Sequence, residues 1–264
     1  MLTKKKIPLW GWGLLILAGA ALLCALLAKP VRYAWRALDY AWGEPTAAEQ
    51  TVWEYAKEHG VPYGVYPVSL IDLLDRNPEA EEFVLNYPFR EETSYDLSEY
   101  AGSEEVPLFL QWDRRWGYTN YGSDVMAITG CGPTCLAMVG YYLTGDAGTY
   151  DPAVMAAYAE KHGYYASGYG SSWTLISEGA VKLGLDVTEI PLVEKRIKDN
   201  LEVGNPIICA MGEGDFTSSG HYIVLVGLKD GKYIVNDPNS PEKSRMLWSY
   251  EQIQGQIRNL WVIR

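Results

Sequence analysis

Apolar and polar positions follow three different patterns along the chain. Residues 7–28, IPLWGWGLLILAGAALLCALLA, carry no charge. From Val31 to about Arg90, apolar residues recur at helical spacing. Thr46 to Glu49 read as a capping box, with Thr46 bonding forward and Glu49 reaching back, and the helix runs on to His59-Gly60. SLIDLLDRN at 69–77 predicts a second helix with Ser69 as cap, and PEAEEFVL at 78–85 a third. Short helices need tertiary contacts, so this stretch is expected as a stalk or brace. Residues 91–105 are acidic and polar, a linker or an ordered loop.

From Val106 the pattern becomes mixed. Leu108 to Gln111 reads as a short strand, and residues 112–129 as an aromatic, Gly-rich loop. GCGPTCLAMVGYY at 130–142 predicts a helix from Pro133 to about Leu143, ended by Gly145. A helix from Asp151-Pro152 ends at His162-Gly163, the Asp serving as cap and the Pro as first residue. After a flexible GYGSS loop at 168–172, a helix spans 173–183, a strand 185–190 and an amphipathic helix 193–203. Strands follow at 206–211 and 222–228, separated by a Gly-rich loop, 212–220, expected to be mobile. Asp230-Gly231 turns the chain into a strand at 232–236, and 257–263 closes the sheet. Helices followed by mostly antiparallel strands imply an α+β fold.

The uncharged run changes the domain picture. Spanning a bilayer takes roughly 20 residues, and Lys4, Lys5, Lys6 and Lys29 bracket this one, with Trp10 and Trp12 suited to the interface. Ala18-Gly19-Ala20 offers a signal-peptide cleavage site, but the apolar run continues well beyond it, which favours an uncleaved anchor. The expected organisation is a cytoplasmic tail at 1–6, a transmembrane anchor at 7–28, a helical juxtamembrane region and linker at 29–105, and a main domain at 106–264 outside the membrane. Lys29, Arg32 and Arg36 give the second flank a charge similar to the first, so charge fixes the orientation weakly.

A formal net charge of -11 excludes a typical nucleic-acid binder, which needs a basic face. The 10 Trp and 20 Tyr suit grooves as well as packing. The 4 Cys form no disulfide framework. Cys131 lies at the expected start of a helix, between glycines that leave its sulfur approachable. Unpaired N–H groups and the positive end of the dipole there favour a thiolate. Cys135, one turn on, falls on the apolar face and reads as core.

A nucleophilic cysteine needs a base within hydrogen-bond reach. Of the 3 His, His59 and His162 each precede a Gly at a helix end, a structural position. His221 instead follows the Gly-rich loop and opens a buried strand, so it is the candidate base. Strand faces alternate, so the hairpin decides which acid shares its face. A strict two-residue turn at Asp230-Gly231 puts Asn236 there, and a three-residue loop puts Asp237 there; spacing leaves both open.

The set QWDRRWG, TGCGPTC, SGHYIVLVG and YIVNDPNS resembles the peptidase C39-like family of papain-like cysteine peptidases over Val106 to Arg264. The resemblance implies a papain-like α+β fold, the Cys-bearing helix packed on an antiparallel sheet. It also implies Cys131 as nucleophile, His221 as base, Asp237 as orienting acid and Gln111 as oxyanion donor. Trp112, Trp116, Trp173 and the 212–220 loop are candidate groove walls. The family's bacteriocin-processing members carry this domain at the front of a transporter. No G-x-x-x-x-G-K-[ST] string occurs here, so a double-glycine leader substrate is not implied. The expected partner is a peptide or a peptidoglycan-derived substrate. A non-catalytic binding module, a cell-wall amidase or an acyltransferase on the same fold would use the same surfaces. A metal site from Cys131, Cys135 and His221 lacks a fourth ligand, and no cofactor is expected.

Overall fold

The computed structural model describes residues 44–91, 94–168 and 170–264. The expected anchor at 7–28, the 1–6 tail and the start of the juxtamembrane region therefore lie outside the described residues. Among the described residues, no helix is long and apolar enough to cross a membrane. The chain divides into two compact units, Met1–Asp75 and Arg76–Arg264.

In the first unit, helix α1 (Ala47–Glu58) starts at the expected capping box, both arms of which form. Helix α2 (Val68–Arg76) begins one residue earlier than the sequence pattern suggests. The Leu70 and Ile71 amides donate to the Pro67 carbonyl, so Ser69 sits inside the first turn instead of capping it.

The second unit begins upstream of Val106. Helix α3 (Glu81–Leu85) follows a 3-10 turn at Pro78–Ala80. The acidic stretch is an ordered loop where described. Leu97 is buried in the core, its carbonyl accepts from Tyr141 Oη, and Glu99 pairs with Arg115. The expected strand at 108–111 is extended chain leading into a turn, with no ladder partner. The expected loop at 112–129 contains a small hairpin, β1 (Asn120–Tyr121) and β2 (Asp124–Val125), and a short helix, α4 (Met126–Thr129). Helix α5 (Cys131–Thr144) follows, two residues longer at its front than predicted, and Gly145 ends it at φ 68°. Pro133 is its third residue, still within the first turn, where a missing N–H leaves no intrahelical bond unmade.

Helix α6 (Pro152–Lys161) is capped by Asp151 as predicted. The hairpin β3 (Tyr165–Ala166) and β4 (Gly170–Ser171) occupies the expected flexible loop. The next helix contains a π-helical turn, Leu175–Ala180. Then come β5 (Val187–Glu189), α7 (Glu194–Glu202), β6 (Ile207–Met211), β7 (His221–Lys229), β8 (Lys232–Asn236), α8 (Pro241–Arg245), β9 (Leu247–Trp248), α9 (Tyr250–Ile253) and β10 (Ile257–Ile263).

The main sheet has the order β5-β10-β6-β7-β8-β9, antiparallel at every step. The last strand does not close an edge; it runs between β5 and β6, which explains why most of it is buried. Alternation with period 2 builds two cores. On one side Ile208, Ala210, Tyr222 and Val224 pack with Leu136, Met138 and Val139 of α5. On the other, Cys209, Ile223, Leu225 and Val235 pack with Ile197 and Leu201 of α7. The α+β architecture follows the sequence pattern, and helix α5 lies on the sheet with its first turn free to meet a strand end.

Candidate active site

Cys131 is the first residue of α5, with Gly130 as N-cap, at the end where N–H groups lack intrahelical acceptors. It is partly exposed, whereas Cys135, one turn on, is fully buried. Burial pushes the Cys135 thiol well above its ordinary value, and the nearby Cys131 and Asp237 push the same way.

Gly132 is small for a specific reason. A Cβ there would lie 2.5 Å from both Cβ and Oγ of Ser171, so strand β4 is pressed against the first helical turn. Ser171 is held in place by Tyr121 Oη at 2.8 Å from its Oγ and by Tyr222 Oη, which donates to its carbonyl at 3.2 Å. These three residues support the Cys131 turn and were not singled out in the sequence. The Ser-Ser after a Gly-x-Gly was the one signal for them, and it reads equally as a loop.

His59 and His162 cap the ends of α1 and α6. His221 is the first residue of β7, and its Nε2 bonds Asp237 Oδ1 at 2.7 Å. Asp237 is completely buried, and its Oδ1 also accepts from the Asn239 amide at 2.8 Å. Its own amide donates to Ser244 Oγ at 2.9 Å. With Nε2 engaged, Nδ1 is the ring nitrogen left for a further partner, and Cys131 lines the same cleft as the ring. Burial alone would lower the His221 value; the Asp237 carboxylate, by charge and hydrogen bond, and Cys131 outweigh it and raise it to about 10.

The hairpin brings the acid onto the histidine's face by a route that loop length does not contain. The turn is the strict two-residue one, Lys229 pairing Lys232, with Asp230 and Gly231 at φ 53° and 75°. By itself this would give Asn236 the shared face. A β-bulge at Val226 then shifts the register, so Leu225 pairs Val235 and Val224 pairs Asn236. One extra residue on one strand exchanges the faces beyond it. Continuing the register sets Asp237 opposite Ile223, two residues from His221. Asn236 turns the other way and donates to the Val106 and Pro107 carbonyls.

Gln111 is buried beside this group. Its backbone N–H donates to the Pro238 carbonyl at 2.7 Å, and its Nε2 donates to the Ala127 carbonyl at 2.6 Å. One amide hydrogen remains on Nε2, while Oε1 is buried with no hydrogen-bond partner among the described residues. Thus Gln111 joins the turn after Asp237 to the turn before Cys131.

An open cleft of about 460 Å³ has Cys131 and His221 in its wall, with Trp173, Met211, Gly212 and Arg258. Trp173 is 49% exposed and stands edge-on to Trp261 at 5.9 Å. Trp112 is not among the described residues that line the cleft; its Nε1 donates to the Asn239 carbonyl. Trp116, the other candidate wall, is core: it is 1% exposed and bonds the Leu110 carbonyl. The front of the 212–220 loop is pinned. Buried Gln256 accepts from the Asp215 amide at 2.7 Å and donates to its carboxylate at 2.6 Å. No cluster of three or more metal-type ligands occurs among the described residues.

No curated protein matches the chain in sequence. Among solved structures, it is similar to the peptidase domain of Streptococcus ComA, a bi-functional ABC transporter involved in a quorum-sensing pathway. That match has 24% identity over 51% of this chain and 89% of the other, with a TM-score of 0.40. A Bacillus anthracis protein provisionally described as a C39-like peptidase matches at 14% identity over 60% of this chain and 94% of its own, with a TM-score of 0.36. The family model described as Peptidase C39 like family matches residues 103–263, well over half of the sequence, and the chain belongs to that family.

Proposed function

We propose that the chain is a cysteine peptidase that cleaves a peptide or related amide bond. Cys131 is the nucleophile, His221 the base and Asp237 the group that orients the ring. The observation that carries this reading is the His221 imidazole. One of its nitrogens is fixed by a buried carboxylate, and the ring shares the wall of an open cleft with a thiol at a helix N-terminus. Such a pairing is how a weakly nucleophilic side chain is activated.

The thiol proton passes to His221, and the sulfur attacks the carbonyl carbon. The resulting oxyanion is held by the remaining Gln111 amide hydrogen and the Cys131 backbone N–H. His221 returns the proton to the leaving amine as the C–N bond breaks. Water, deprotonated by the same ring, then releases the acid and restores the thiol. Asp237 has no need to change protonation; it fixes the ring's tautomer and orientation. Trp173 is the groove wall that this reading keeps. Trp112 contributes through the Asn239 turn behind the acid.

Residues 7–28 would anchor the domain to a membrane with the cleft outside the cytoplasm, consistent with a substrate derived from extracellular peptide or peptidoglycan. An amidase or acyltransferase would form the same acyl-enzyme. The test is to incubate the full chain with a mixed pool of peptides and wall fragments, quench in acid, and map adducts by mass. An acyl group on Cys131 is expected, and its mass identifies the substrate class. Retention of ligands without any Cys131 adduct would replace the peptidase with a non-catalytic binding module.

A further inference from the structure

We propose that the cleft recognises a carboxylate on the substrate, one or two residues from the scissile bond, through Arg258. The inference rests on the active-site reading above and specifies the substrate that site accepts.

The sheet register locates the arginine. Met211 on β6 pairs His221 on one side and Ile257 on the other. Neighbouring strands lie about 4.8 Å apart, which puts the backbone of β10 about 10 Å from that of His221. Arg258 closes part of that gap. A Cβ on Gly212 would lie 2.3 Å from its Nε and 2.8 Å from its Cζ, so the guanidinium is pressed against the backbone just past the end of β6, in the cleft that His221 also lines. A chain in extended form advances about 3.3–3.6 Å per residue, so a group held there is one or two residues from a carbonyl at Cys131.

Arg114, Arg115, Arg245 and Arg264 each pair with a carboxylate; Arg76, Arg90 and Arg196 have no ion pair among the described residues, but they do not line the cleft. Arg258 forms no ion pair among the described residues; its guanidinium donates to the Gly255 carbonyl at 3.1 Å. In a chain with 33 acidic residues against 22 basic ones, an unpaired guanidinium in the cleft is a place for an incoming anion. Its planar fork suits a carboxylate in two-point contact. Glu213 lines the same cleft but pairs with no cation among the described residues. Its negative charge opposes that of the ligand and sets a limit on affinity.

The experiment uses two pairs of peptidyl iodoacetamides on the full chain. One pair differs only in Glu against Gln beside the warhead, the other only in a free against an amidated C-terminus. The readout is the rate of Cys131 alkylation, followed by mass. The carboxylate member of one pair should react about tenfold faster, and the advantage should shrink as salt rises. Which pair responds distinguishes a side-chain carboxylate from a chain end. Arg258→Gln should erase the preference, Arg258→Lys should keep part of it, and Glu213→Gln should widen it. Equal rates within both pairs while Cys131 still reacts, or a preference that survives Arg258→Gln, overturns the carboxylate site alone. If Cys131 reacts with none of the four probes, the active-site reading falls and takes this inference with it.

Discussion

The first and second turns of α5 carry the same residue type in two different situations. Cys131 meets the end of β7, the β4 strand and an open cleft. Cys135 has no exposure and sits among the side chains of the core. A shift of four positions along one helix therefore separates a thiol that shares an open cleft with an imidazole from one that burial pushes well above its ordinary value. The helix supplies position; the elements packed over each turn supply the chemistry.

The sharpest way to break this contrast is to remove the reactive pair. Cys131→Ala should lose turnover completely, a drop of about 10³-fold or more. His221→Gln should fall nearly as far, because groups that act together are not additive. Asp237→Asn should cost about 10²–10⁴-fold through loss of ring orientation. Steady-state kcat on the substrate found by adduct trapping is the measurement, and a near-normal kcat in any of these variants would contradict the assignment.

Gln111 comes next. Gln111→Ala should lower kcat by about 10²-fold with little change in KM, as for loss of one oxyanion donor. Gln111→Glu should do no better, since a carboxylate has no hydrogen to donate. A change confined to KM would move the oxyanion site elsewhere.

A smaller effect appears in stability. His221 titrates near 10 in the folded chain and near 6.5 when unfolded. The folded state therefore binds the extra proton between those values. The stabilisation is fully present below about 6.5 and is lost as the pH climbs through about 10. The gap in urea midpoint between the parent chain and His221→Gln should narrow steadily over that window. A flat gap would mean that the ring is not held as a cation.

The smallest effect on activity belongs to the second thiol. Cys135→Ala should leave kcat within a few-fold and reduce stability by about 1–2 kcal/mol, the cost of a small buried cavity. Thermal unfolding and turnover of this variant, set beside Cys131→Ala, separate packing from chemistry.

Much of this was legible in the sequence because it depends on local rules. The Thr46 box, the Asp151 cap, the Gly145 stop and the Asp230-Gly231 turn all act over a few residues, and all occur where their signals lie. Elimination among three histidines left His221, and the two set aside do sit at helix ends. The face of Asp237 was not legible from spacing. It depends on the bulge at Val226, and the one local mark of it, Gly227 directly after, reads equally as part of the apolar run. The interior place of β10 was also hidden, since strand order is set by long-range pairing. Ser171 and Arg258 could not be found from motifs, because each matters through a glycine distant in sequence, Gly132 and Gly212. Trp112 and Trp116 show the limit of composition: both indoles bond backbone carbonyls away from the cleft.

The most direct test of the central claim is a map of alkylation by iodoacetamide at about pH 6, read by mass for each cysteine. The account predicts rapid modification of Cys131, a large fall in its rate in His221→Gln, and no modification of Cys135 in the folded chain. Modification of Cys135 instead, or a Cys131 rate indifferent to His221, would contradict it.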